Sequence, residues 1–273
     1  MRYGIEVIPL GPYADPRPVV QLAQAAEAAG WEALFVWDHL AFVWGMPSGD
    51  PWVTLAAVAQ ATYTLRIGTD VTPLPRRRPH MVAHALATLD LLSAGRVIFA
   101  AGLGGVGAEF AAFNEVTDTK VRAAMLDEGL TLVDALLRGE TVTHAGAHYV
   151  VNGVTLAPRP QQQPRPPIWI GGESKAALRR AARWDGWVIG AADETGAMIR
   201  TPEKLAGEIV LIKQARTATS AFDVAVTGVS EAASTGHVAE FAAAGATWWL
   251  ESLYGLRADF DGLLARVKAG PPT

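Results

Sequence analysis

The 273-residue chain is predicted to be an α/β protein folded as a (β/α)8 TIM barrel. Three observations predict it. Strand-like apolar runs alternate with helical patterns from one end to the other, which implies parallel pairing. Eight such units fit the length, whereas the alternative, an open doubly wound sheet, would suit six strands better. No linker divides the units: the Pro- and Gln-rich "APRPQQQPRPP" (Ala157–Pro167) falls inside the rhythm and reads as a surface connection between two halves. Residues 1–273 are therefore read as one barrel domain with short insertions.

"YGIEVIPL" (Tyr3–Leu10) is the first strand. Asp15-Pro16 then supplies an N-cap and a first-turn proline, Val19, Leu22, Ala23, Ala26 and Ala29 recur at helical spacing, and Gly30 stops the helix. "ALFVW" (Ala33–Trp37) is the second strand, followed by a helix over 52–63. "LRIGTDV" (Leu65–Val71) is the third, with a helix over 80–92, and "RVIFAAG" (Arg96–Gly102) the fourth. A long helix over Thr119–Leu137 leads to a hairpin-like insert, Glu140–Val151. "PPIWIGG" (Pro166–Gly172) is the fifth strand, with a helix over Ser174–Trp184, and "GWVIG" (Gly186–Gly190) the sixth, with a helix over Pro202–Arg216. "FDVAVTGV" (Phe222–Val229) is the seventh, with a helix over Gly236–Ala243. "ATWWLES" (Ala246–Ser252) is the eighth, and a last helix closes the chain.

Composition narrows the function. A net charge of −4 offers no basic surface for nucleic acid. With no cysteine, disulfides, thiolate nucleophiles, iron–sulfur clusters and cysteine-ligated zinc are excluded. Glu6 interrupts the amino terminus before an apolar secretory segment could form, and the most apolar stretch, Val97–Ala108, is too short to span a bilayer. A soluble, cytoplasmic protein without membrane contact is expected.

Barrel chemistry sits at the carboxyl ends of the strands. The second strand ends there in "DHL", so Asp38 and His39 point into the mouth. His39 is either a structural histidine held by Asp38 or an acid–base group, and its place at the mouth beside an acid favours the second. It is the only histidine at a predicted strand end, so no metal site is expected. In "AAGLGGVGAEF" (Ala100–Phe110), Gly102 and Gly104 let a flat ligand or a phosphate approach the backbone. Glu109 in the same stretch is either an acid–base group or a solvated residue of a short helix. In "IGGES", Gly171 and Gly172 precede Glu173 and Ser174. That is either an anion site or a plain strand–helix turn capped by Ser174. "PLPRRRPH" places Arg76, Arg77 and Arg78 after the third strand, as a solvated face or as an anchor for an anionic ligand tail. No lysine falls at a strand end, which weakens a Schiff-base aldolase reading.

Four stretches, "AEAAGWEALFVWDHL", "LRIGTDVTPLPRRRPHMVAHALATLDLLSAGRVIFAAGLG", "PPIWIGGESKAALRRAARWDGWV" and "AAAGATWWLES", cover almost the whole barrel in order. Together they resemble the bacterial luciferase-like monooxygenase superfamily of flavin- and deazaflavin-dependent oxidoreductases. The resemblance implies a luciferase-like barrel with a flavin or deazaflavin ring in its mouth. It implies that Asp38 and His39 serve proton transfer, and that a non-proline cis peptide at Asp70–Val71 backs the ring. It also implies that Gly171, Gly172, Glu173 and Ser174 hold the cofactor phosphate. Two departures matter. The sugar-phosphate dehydrogenases of the superfamily carry an acid directly after the fourth-strand glycines, where this chain has Gly105. The long insert of the luciferase branch near the seventh strand is nearly missing, which leaves the mouth open.

The resemblance thus implies a small-molecule substrate and coenzyme F420, with hydride transfer to or from its C5; Arg76 and its neighbours would attract the anionic tail. The alternative is FMN-dependent monooxygenation with O2, which brings in a flavin reductase partner. A flavin-binding protein without turnover is the non-enzymatic rival. Members of the superfamily often form dimers, so a homodimer is expected.

Overall fold

Strands buried on both faces along almost their whole length close a parallel sheet on itself. The computed structural model describes residues 1–193, 195–232 and 235–272. In chain order the elements are β1 (Arg2–Val7), α1 (Pro16–Ala28), β2 (Ala33–Val36), α2 (Pro51–Ala61), β3 (Arg66–Thr69), β4 (Thr72–Pro73), α3 (Pro79–Leu92) and β5 (Val97–Gly102). There follow α4 (Gly107–Ala111), α5 (Thr119–Leu137), β6 (Thr141–Ala145), β7 (Val150–Thr155), β8 (Ile168–Gly171), α6 (Lys175–Ala181), β9 (Gly186–Gly190) and α7 (Pro202–Ala215). The chain ends with β10 (Asp223–Gly228), α8 (Gly236–Ala243), β11 (Trp248–Leu253) and α9 (Phe260–Lys268). β1 pairs with β2 and β11, and the ring runs on through β10, β9, β8 and β5 back to β3, all parallel. β3 and β4 are two parts of one barrel strand, so the ring has eight positions, as the sequence predicts. β6 and β7 form the antiparallel hairpin outside it.

The structure corrects several boundaries. The third strand, expected to be continuous over Leu65–Val71, breaks at the cis peptide bond Asp70–Val71. Side-chain hydrogen bonds staple the break: the Thr72 hydroxyl donates to Thr69 Oγ1 at 3.0 Å, and the Thr69 hydroxyl donates to the Ala100 carbonyl at 3.0 Å. The glycine-rich stretch after β5 is not all loop, because α4 forms and buries Glu109 and Phe110. The helix expected from Ser174 starts at Lys175, with the Ser174 hydroxyl accepting from the Ala177 amide as N-cap. The hairpin runs on to Thr155.

Two apolar layers result from the period-2 alternation. Ile5, Leu34, Val36, Phe99, Ile168 and Ile170 face the helices. Ala33, Phe35, Ile98, Trp169, Trp248 and Leu250 face inward and fill the barrel. Phe35 stacks on Trp169 at 5.3 Å, and Trp169 meets Trp248 edge-on at 5.8 Å. Glycines admit these rings: a Cβ on Gly186 would lie 2.4 Å from the Trp169 indole, and one on Gly68 would lie 2.8 Å from the Phe35 ring. The barrel is thus plugged with aromatic side chains below and open above, so the site lies at the carboxyl ends of the strands.

Candidate active site

On β1, β8, β9 and β10, one step beyond this plug, the inward position is polar or glycine. Glu6 on β1, Thr227 on β10, Gly190 on β9 and Gly171 on β8 line a cavity of about 250 Å³, with Trp37, Asp38, His39, Asp70 and Val71 at its side. Gly104, Gly105 and Gly172 complete the glycine part of the wall. The structure therefore brings together Asp38, His39, Asp70, Val71, Gly104, Gly171 and Gly172 from among the sequence candidates. Glu109, Arg76, Gly102, Glu173 and Ser174 lie outside the lining.

Glu109 stands behind His39. Its Oε1 accepts from the Leu40 and Ala41 amides, both at 3.0 Å, and meets His39 Nδ1 at 3.2 Å. Its Oε2 accepts from Arg76 Nη1 at 2.9 Å. The side chain is 1% exposed, so it is neither a solvated surface group nor part of the cavity wall. Burial pushes the carboxyl up. The Ala41 amide, His39 and Arg76 outweigh it and hold the group below its ordinary value. An ionised carboxylate only accepts, so His39 Nδ1 carries a proton toward Glu109 and a neutral ring keeps Nε2 as its bare nitrogen.

The arginine run is divided among partners. Arg76 goes to Glu109. Arg77 grips Asp38 through two bonds, Nε to Oδ2 at 3.0 Å and Nη2 to Oδ1 at 2.8 Å. Asp38 is therefore fixed by Arg77, and the acid that orients His39 is Glu109. Phe110 anchors the same region: the Arg76 and Arg122 guanidinium groups lie 4.9 and 4.3 Å from its ring centre. Gly104 has φ +81, and a Cβ there would sit 2.7 Å from the Phe110 ring.

Val71 explains two further glycines. A Cβ on Gly102 would lie 2.6 Å from Val71 Cγ2, and one on Gly171 would lie 2.9 Å from Val71 Cγ1. Their missing side chains make room for the valine of the cis peptide. Gly172 has φ +113, and its carbonyl accepts from Trp187 Nε1 at 2.8 Å. Glu173 is drawn away from the cavity, with Oε2 accepting from Arg200 Nη2 at 2.7 Å and Lys204 Nζ at 3.4 Å.

The role of Glu6 was not legible in the sequence. Its carboxylate accepts from the Trp37 indole and the Ser252 hydroxyl and lies within hydrogen-bonding reach of Asp70. Among the described residues no guanidinium or ammonium is paired with either group. Burial raises the Glu6 carboxyl against its hydroxyl and indole donors. Burial, then the Glu6 charge, raises Asp70 well above its ordinary value. Burial and mutual repulsion thus favour one proton shared between the two carboxyls over two charges. In the sequence Glu6 and Asp70 read as strand-end residues, 64 positions apart, with nothing to pair them. Among the described residues, no group of three or more His, Asp or Glu side chains is arranged to hold a metal ion. No helix among them is long and apolar enough to cross a membrane.

A barrel with a polar cavity at its carboxyl end, one imidazole and a set of unequal carboxyls is an enzyme-like architecture. The chain belongs to the luciferase-like monooxygenase family, whose model matches residues 5–269. It is 34% identical over 180 residues to an F420-dependent glucose-6-phosphate dehydrogenase of Microbacterium testaceum, covering 62% of this chain and 50% of that protein. It is 33% identical over 186 residues to an F420-dependent hydroxymycolic acid dehydrogenase of Mycobacterium tuberculosis, covering 66% and 51%. The chain thus spans about half the length of these curated relatives. An F420-dependent secondary alcohol dehydrogenase, solved with an F420–acetone adduct, superposes with a TM-score of 0.82 over 98% of this chain and 97% of that one, at 18% identity. That likeness concerns the fold.

Proposed function

We propose that the protein is an oxidoreductase that transfers hydride between coenzyme F420 and a small organic substrate. The observation that carries this reading is His39. Its Nδ1 is fixed by a buried carboxylate, while the ring lines a cavity beside the Asp70–Val71 peptide. The F420-dependent relatives support the same choice of cofactor.

The lining residues fit a planar ring. Val71, seated in the space left by Gly102 and Gly171, would back it, and Gly104 and Gly172 line the cavity with backbone alone. Glu173 and Ser174, at the start of α6, are where a cofactor phosphate would be held, and Arg76 is an anchor for an anionic tail only if it exchanges Glu109 for it. A bound deazaflavin supplies or accepts the hydride. His39 exchanges the accompanying proton through Nε2, Glu109 orients it, and Arg77 holds Asp38 in place beside it. A single-domain homodimer in the cytoplasm, needing no reductase partner, belongs to this reading. FMN-dependent monooxygenation is the second reading, consistent with the family's own description.

Paired titrations of the purified protein with F420 and with FMN, followed by fluorescence, test the choice. Tight binding of F420 alone is expected; tight binding of FMN alone would transfer the protein to the second reading. His39→Ala is expected to fold normally and to lower turnover about 10²–10⁴-fold. Unchanged turnover would remove His39 from the mechanism.

A further inference from the structure

We propose that the substrate is a neutral, largely apolar molecule with a single oxygen function. Its body would lie on an apolar platform at the rim, with only the reacting end passing inside. The proposal rests on the cavity being the cofactor site. Two loops on the carboxyl face build the platform. The loop after β2 presents Leu40, Phe42, Trp44 and Met46 at 39–45% exposure, and the loop after α4 presents Phe113 at 61% and Val116 at 38%. The loops touch, with Phe42 and Phe113 edge to face at 5.8 Å. The platform also runs into the cavity, because the Trp44 ring lies 5.3 Å from His39.

The first loop is held rather than trailing. Glu109 fixes the Leu40 and Ala41 amides, the Trp44 amide donates to the Ala41 carbonyl at 2.9 Å, and the Ser48 hydroxyl donates to the Leu40 carbonyl at 2.7 Å. Large apolar side chains kept in water by a fixed backbone form a preorganised surface for an apolar ligand. Size points the same way. A cavity of about 250 Å³ is at the small end for a ligand site, so a bound ring leaves room only for a reacting group. Charge excludes the main competitor. The lining contains Glu6, Asp38 and Asp70 but no lysine or arginine; behind it Arg76 and Arg77 are engaged by Glu109 and Asp38, and Arg122 and Arg200 donate to the Gly104 and Gly190 carbonyls. A phosphorylated sugar would meet carboxyls there and no counter-charge.

The test is equilibrium binding of a homologous series of methyl ketones, read by tryptophan fluorescence on the protein with and without bound F420. Affinity is expected to rise about two- to fourfold per added methylene. Phe113→Ser and Phe42→Ser should flatten that slope without changing F420 affinity, and glucose 6-phosphate should not bind. A flat series in the unsubstituted protein, or tight binding of glucose 6-phosphate, overturns the proposal. An unchanged slope in Phe113→Ser, with a shift from dimer to monomer in light scattering, also overturns it and assigns the patch to contact between copies. A length-dependent ketone series in a protein that binds no F420 upholds the platform and breaks the cofactor reading instead.

Discussion

Asp38 and Glu109, at the rim of the cavity, each face a guanidinium, while Glu6 and Asp70, inside it, face an indole, a hydroxyl and each other. All four come from the carboxyl ends of the barrel or the loops beyond them. At the rim each carboxylate has a positive partner and does structural work: Glu109, held below its ordinary value, gathers a loop, a histidine and an arginine. Inside, without a cation, burial and mutual repulsion favour the neutral form, so the proton itself is the variable. Rim carboxylates therefore position groups, and inner carboxyls store a proton where a ligand can reach it.

The largest expected effect comes from breaking the rim. Glu109→Ala leaves Arg76 buried without its partner and two loop amides without an acceptor, and should cost about 3–5 kcal/mol in urea unfolding. A loss below about 1 kcal/mol would mean that the rim charges position nothing. Crowding the inner wall comes next. Gly102→Ala places a methyl 2.6 Å from Val71 Cγ2 and should cost about 1–3 kcal/mol in stability. It should also weaken F420 binding as Val71 is driven toward the cavity; full retention of both would show that Val71 has slack there.

The smallest effect sharpens the comparison by its sign. Asp70 titrates higher in the folded than in the unfolded chain, so between those values the folded state holds the extra proton. Stability then falls as pH rises through that window. Glu109 titrates lower when folded, so its contribution is present above the ordinary carboxylate range and fades on acidification. Asp70→Asn should therefore be more stable than the parent at neutral pH, with the difference shrinking toward acid. Unfolding free energies measured across pH check this; a difference that grows toward acid would assign Asp70 to the rim class.

The eight-unit rhythm was legible because it is local: apolar periodicity, proline at helix starts and glycine at helix ends all act within a few residues. Asp38 and His39 were legible as mouth residues for the same reason. The partnerships were not. The Glu109 contacts join residues 33 and 70 positions apart, and three consecutive arginines gave no sign that two would be claimed by different acids. The glycines show the complementary limit. Gly102 and Gly171 stand out in the sequence as places of close approach, but only the folded chain shows that Val71 approaches them. A short helix at Glu109 was legible as an option, but not that α4 buries Glu109 and Phe110, because its glycines give no apolar face to read.

The aromatic plug formed by Phe35, Trp169 and Trp248 fills the barrel below the cavity, so access from that end is closed. Two molecules that must meet there cannot arrive from opposite ends. The one that sits deeper has to enter first and leave last, so the traffic is a stack rather than a queue. Steady-state kinetics would then follow a compulsory order, with the second arrival acting as a lid on the first.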